Sequence, residues 1–101
     1  MRVISQDGTM DFPYEISTIF IYPRIENVIA VQSAGDSEIS IIGRYSSKEK
    51  AIKAMEMLGE KYLQYISLQG GESAFVQAVF QPNYWVLPKV FQFPQDDEIE
   101  V

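Results

Sequence analysis

The sequence predicts an α+β fold: an antiparallel sheet, a meander of about five strands, with one long amphipathic helix packed on one face. Three observations predict it. Residues 45–66 (YSSKEKAIKAMEMLGEKYLQYI) carry apolar side chains at helical spacing behind a capping signal. Three short segments rich in β-branched and aromatic residues come before that run, joined by loops of about five residues. A last apolar alternation, VFQF, follows it near the end of the chain.

In chain order, residues 2–5 alternate, and Asp7-Gly8 supplies a tight turn of the type I′ kind, in which both central residues take positive φ. Met10, Phe12 and Tyr14 resume the alternation. Pro13 among them cannot donate to a ladder and assigns the strand to an edge. Residues 18–22 (TIFIY), 28–32 and 38–45 (EISIIGRY) are the next three strands, broken by Pro23-Arg24-Ile25-Glu26-Asn27 and by Ser33-Ala34-Gly35-Asp36-Ser37.

The helix follows directly, with Tyr45 as its staple and Ser46 and Glu49 as a capping box. Ala51, Met55, Leu58, Tyr62 and Ile66 wind onto one stripe, flanked by Ile52, Ala54, Leu63 and Tyr65. Glu49 and Lys53 form an i,i+4 pair in the favourable order, worth about 0.2–0.5 kcal/mol. Gly59 costs about 1 kcal/mol relative to Ala, which a close approach of the sheet would explain. Met57 projects among the charged residues, either as an ordinary exposed side chain or as a contact with a second protein or a second copy.

Residues 67–71 read as a linker, 73–81 as a short helix capped by Ser73 and stopped by Pro82, although a strand fits the same pattern. Residues 84–87 are apolar and extended, and residues 90–93 form the last strand. The organisation expected is one domain over residues 1–94 and a fraying acidic tail over residues 95–101.

Composition narrows the function classes. The chain has no cysteine and no histidine, which removes thiolate and imidazole metal ligands and the usual nucleophile–histidine arrangements from its own side chains. No Gly-rich phosphate loop or nucleotide fingerprint is present, and Gly70-Gly71 lacks the Lys-Ser or Lys-Thr of a P-loop. No cofactor is implied. The opening MRVISQDG is no signal peptide and no stretch matches a membrane span, so the expected setting is the cytoplasm, without membrane contact. A net charge of −6 argues against direct nucleic-acid binding. Asp96, Asp97, Glu98 and Glu100 hold four of those charges, leaving −2 on the rest.

Three quoted stretches also carry a resemblance: MRVISQDGT with the following D.PYE over residues 1–15, YSSKEKAIKAMEML over residues 45–58, and VFQFPQDDEIEV over residues 90–101. Together they resemble a family of short uncharacterised proteins from low-GC Gram-positive bacteria and from their phages and mobile elements. The resemblance implies a bacterial or phage origin and a cytoplasmic setting. It implies no catalytic or ligand-binding residue. The paired recurrence of both ends is consistent with the two termini meeting in one sheet.

What remains is chemistry of contact. Asp7, Asp11 and Glu15 are the candidates for an acid/base reading, and they lie on turn and edge positions where solvated side chains are expected. Tyr84, Trp85, Phe91, Phe93 and Met57 are the candidate interface residues, since Trp and Tyr anchor interfaces and only Lys89 lies near to serve a base-stacking site. The expected function is a non-catalytic protein–protein interaction module, with a protein partner or a homodimer. The alternative, from a different class, is an acidic inhibitor or regulator of a host DNA-binding protein, carried by the C-terminal acids.

Overall fold

A computed structural model of the chain describes residues 1–35, 37–69 and 90–101. It is α+β, but its described strands form two three-stranded sheets where one meander was expected. In the first sheet β1 (Arg2–Ile4) lies between β2 (Asp11–Pro13) and β6 (Val90–Gln92), antiparallel to the former and parallel to the latter. In the second, β3 (Ser17–Ile21), β4 (Val28–Ser33) and β5 (Ser40–Arg44) make an antiparallel meander in that order. Helix α1 runs over Lys48–Gln69. The parallel β1–β6 pair splits the sheet. Two terminal segments so far apart can pair only through a long crossover, and everything between them serves as that crossover. The two ends therefore do meet in one sheet.

Each strand of the terminal sheet is three residues long and turns one side chain inward. Val3 faces Phe12 on one side and Phe91 on the other, and is fully buried between them. Met1, Phe93 and Ile99 complete this part of the core. In the meander, Ile29 and Val31 of β4 point to the same core as Ala51, Ala54 and Leu58 of α1. Pro13 lies on edge strand β2, where the missing N–H costs no ladder bond.

The β1–β2 connection is wider than a type I′ turn. Gly8 alone takes positive φ, at 78°, while Asp7 organises the loop with its carboxylate. Asp7 Oδ1 accepts from Ser5 Oγ at 2.7 Å and from the Thr9 N–H and hydroxyl at 3.0 and 2.7 Å. An Asx-type loop of this kind satisfies its own backbone without the two left-handed residues of the shorter turn.

The helix is capped by the neighbouring serine. Ser47 Oγ accepts the Lys50 N–H at 3.2 Å, whereas the Ser46 N–H, which a capping box would give to Glu49, donates to Asp96 Oδ1 at 2.7 Å. The C-terminal segment therefore takes part in the helix start, and residues 67–69, read as linker, continue α1. A Cβ placed on Gly59 would have no atom within 4 Å, so no close sheet approach accounts for this glycine. Met57 is half-buried against the core although it shares its side of the helix with Glu60 and Lys61, because β6 lies along that side. Lys53 Nζ stands 3.9 Å from Glu56, its partner at i+3.

The acidic end packs against the rest of the chain. Gln95 and Glu98 cap a short 3-10 turn over Asp96–Glu98, and Ile99 is buried at 4 % exposure. Gln6 ties this end to both sheets. Its N–H donates to the Ile42 carbonyl at 2.8 Å, its side chain makes paired bonds with the Arg44 backbone, and its carbonyl accepts from Gln95 Nε2 at 2.6 Å. Tyr45, buried at the head of the helix, donates its hydroxyl to the Pro94 carbonyl at 2.9 Å.

Candidate functional site

The backbone pattern of β3 defines the site. Tyr22 N–H donates to the Val28 carbonyl and Ala34 N–H to the Ile16 carbonyl, which places the even-numbered residues of β3 in the hydrogen-bonded pairs with β4. Antiparallel pairs alternate, so the N–H and C=O groups of Ile19 and Ile21, and the C=O of Ser17, point away from β4. The Ser17 N–H is already used, donating to the Tyr14 carbonyl. Among the described residues, β3 is an edge of its sheet.

Within β3 itself the usual guards are missing. Natural edges are blunted by charged side chains, proline or bulges, and Ser17–Ile21 (STIFI) contains no charge and no proline, and its register with β4 has no shift. The bulge of this sheet lies on the other side, between β4 and β5. Side chains follow the same alternation. Ile19 and Ile21 lie on the core face with Ile29 and Val31, while Thr18 and Phe20 lie on the opposite face with Gln32 and the fully buried Ala30.

Beside the edge runs a groove of about 470 Å³. Tyr14, Ser17 and Ile19 form one wall, and Met55, Gly59 and Tyr62 of α1 form the other. The rings of Tyr14 and Tyr62, both in the lining, meet at 4.2 Å between centroids, tilted by 31°. The open space over Gly59 is part of this groove. Ile16, at 59 % exposure, extends the apolar surface at the N-terminal end of β3. The lining is mixed, with Glu15 and Ser17 among the apolar side chains. An uncharged strand edge next to such a groove can bind another extended chain: the edge supplies main-chain bonds and the groove receives alternate side chains.

Of the residues expected at an interface, two belong to the core. Phe91 and Phe93 are buried at 8 and 1 % exposure, packed edge-to-face at 5.2 Å, and burial takes them out of any contact surface. Their alternation on the strand marked a buried face, which sequence alone does not separate from a sticky one. Met57 lines a second, shallower groove with Glu60, Lys61 and Gln64 against β6. Tyr84 and Trp85, with the expected helix over 73–81 and the extended 84–87 segment, lie outside the described residues.

The three acids weighed for acid/base work each serve a separate structural contact. Hydrogen bonds from Ser5 and Thr9 hold the Asp7 carboxyl down to about 2. Asp11 accepts from Arg2 Nε at 2.8 Å. Glu15 lies 2.7 Å from the Met1 ammonium, whose hydrogen bond lowers its pKa. At the C-terminal end, Asp96 is lowered by the Ser46 N–H first and by Lys50 after it. Burial raises the Tyr45 phenol, assisted by the negative charge of Asp96 and Glu98. Among the described residues no group of acids is arranged to hold a metal ion, and no helix is long and apolar enough to cross a membrane.

No family model matches this chain. Searches of curated proteins and of solved structures likewise return no match.

The edge of β3 has no local signature in the sequence because its signal is a combination. Any strand can read STIFI. It becomes a binding edge only when it has no neighbour on one side, and pairing order is a property of the whole fold.

Proposed function

We propose that this chain is a cytoplasmic, non-catalytic protein–protein interaction module of bacterial or phage origin, which takes its partner at the edge of β3. The observation that carries the reading is the row of outward backbone groups at Ile19 and Ile21, uncharged and set beside the groove at Met55, Gly59 and Tyr62. The bacterial or phage origin and the cytoplasmic setting rest on the resemblance of residues 1–15, 45–58 and 90–101. The regulator of a DNA-binding protein draws less support, since Asp96 is spent on Ser46 and Lys50 and a charge mimic needs its acids displayed.

The test is native mass spectrometry of the chain isolated at natural abundance from its host, compared with Thr18→Lys. Thr18 is exposed on β3, and a lysine there is a common guard of natural strand edges. The expected result is a stoichiometric complex, with itself or another protein, for the natural chain and a bare monomer for the variant. A bare monomer in both refutes the module.

A further inference from the structure

We infer that Asp7-Gly8 is a latent isoaspartate site, which the β1–β2 loop holds shut while folded and which converts when that loop opens. The site lies in the terminal sheet, away from the β3 edge.

The chemistry needs no partner but water. The Gly8 nitrogen attacks the Asp7 carboxyl carbon, an N–C bond closes a five-membered succinimide, and the carboxyl hydroxyl leaves with the amide proton as water. Water then adds to either carbonyl of the ring and opens it to aspartate or to isoaspartate. Glycine in second place favours the first step, because without a Cβ its nitrogen reaches the neighbouring side chain unhindered. Asp7-Gly8 is the one Asp-Gly pair of the chain, and no Asn-Gly pair occurs.

The folded loop opposes that step at both reacting groups. Gly8 N–H donates to the Ser5 carbonyl at 3.0 Å, so the nucleophile is engaged and its proton is held. Asp7 Oδ1 accepts from Ser5 Oγ at 2.7 Å and from the Thr9 N–H and hydroxyl at 3.0 and 2.7 Å. The carboxylate must give up those three bonds before it can turn back on Gly8. The same bonds keep the carboxyl ionised at neutral pH, and an ionised carboxyl has no hydroxyl to lose.

The hold is by hydrogen bonds and not by burial. Asp7, Gly8 and Thr9 are exposed to the water that would open the ring. Only Ser5 beneath them is buried, and its Oγ also accepts the Met10 N–H at 3.0 Å. Release therefore needs a local opening, not global unfolding. Conversion then runs the main chain through the side-chain carbons and lengthens it by one atom at residue 7. The next residue back is Gln6, which joins both sheets and the C-terminal segment. A converted chain carries its fault beside that joint.

The experiment holds the natural chain, Ser5→Ala and Thr9→Val in warm buffer near neutral pH, each with and without denaturing urea. Isoaspartate at residue 7 is counted by peptide mass spectrometry with electron-transfer fragmentation. In urea all three should convert at one rate. In buffer the natural chain should convert about tenfold or more slowly than in urea, the protection of a loop that opens locally. Each folded variant should convert about two- to tenfold faster than the natural chain, for a lost hydrogen bond to Asp7.

Circular dichroism checks that each variant is folded. Thr9→Val removes only an exposed hydroxyl and keeps the Thr9 N–H, so it serves where Ser5→Ala does not fold. A natural chain that converts as fast in buffer as in urea overturns the inference. Folded variants that convert no faster than the natural chain overturn it too, and so does the absence of isoaspartate in urea.

Discussion

Gly59 sits in the middle of a 22-residue helix with helical backbone and nothing within 4 Å of where a Cβ would stand. Glycine there pays the full backbone entropy of ordering and returns no contact. Gly59→Ala should therefore stabilise the fold by about 1 kcal/mol, the propensity difference at an unobstructed helix position. For a domain of this size that corresponds to a rise in melting temperature of about 4–8 °C. Thermal unfolding followed by circular dichroism at 222 nm, the usual helix band, reads the change against about 60–80 kcal/mol of unfolding enthalpy. Gly43→Ala is the matched contrast. Its Cβ would lie 3.2 Å from Tyr45 Cε2 and 3.8 Å from Ile29 Cβ, and the Tyr45 ring is tethered through its hydroxyl to Pro94. That variant should melt lower. An unchanged or lowered melting temperature for Gly59→Ala would refute the claim that its space is open.

Two further outcomes follow from the contacts at the chain ends. Tyr45→Phe removes the hydroxyl that satisfies Pro94 and should cost about 0.5–1.5 kcal/mol by urea titration; no loss would mean that the C-terminal segment does not depend on this bond. Stability should also fall at both pH extremes. Asp7, Glu15 and Asp96 have pKa values lowered by folding, so their contribution is complete above the unfolded carboxylate range near pH 4 and is lost as pH falls toward 2. Tyr45 is raised by burial, so its contribution is present below about pH 10 and is lost above it. Asp96→Asn should flatten part of the acid limb in a pH series of melts; an unchanged limb would show that the Ser46 contact does not select the charged form.

Part of this molecule was legible in its residues. The long helix follows from Ala51, Leu58 and Tyr62 at helical spacing, the three meander strands from β-branched runs between short loops, and the edge position of β2 from Pro13. These are local properties, set within a turn or a hairpin. Other readings failed where two parts of the chain compete for the same group. Ser46 and Ser47 are equivalent as caps in sequence, and the choice falls on Ser47 because Asp96 claims the Ser46 N–H. Phe91 and Phe93 looked like contact residues and are core, since β1 receives β6 alongside it. Gln6, read as one residue of a turn, joins both sheets and the C-terminal segment.

Amino-acid order by itself determined the α+β class, the helix, the meander and the exclusion of cysteine and histidine chemistry, because spacing and composition act over neighbouring residues. Tertiary structure alone decided that the ends pair in parallel, that the acidic segment docks on the helix start, and that β3 has an uncharged edge beside a groove. Those features depend on which distant segments become neighbours. A strand acquires an edge only when the other strands have taken their places.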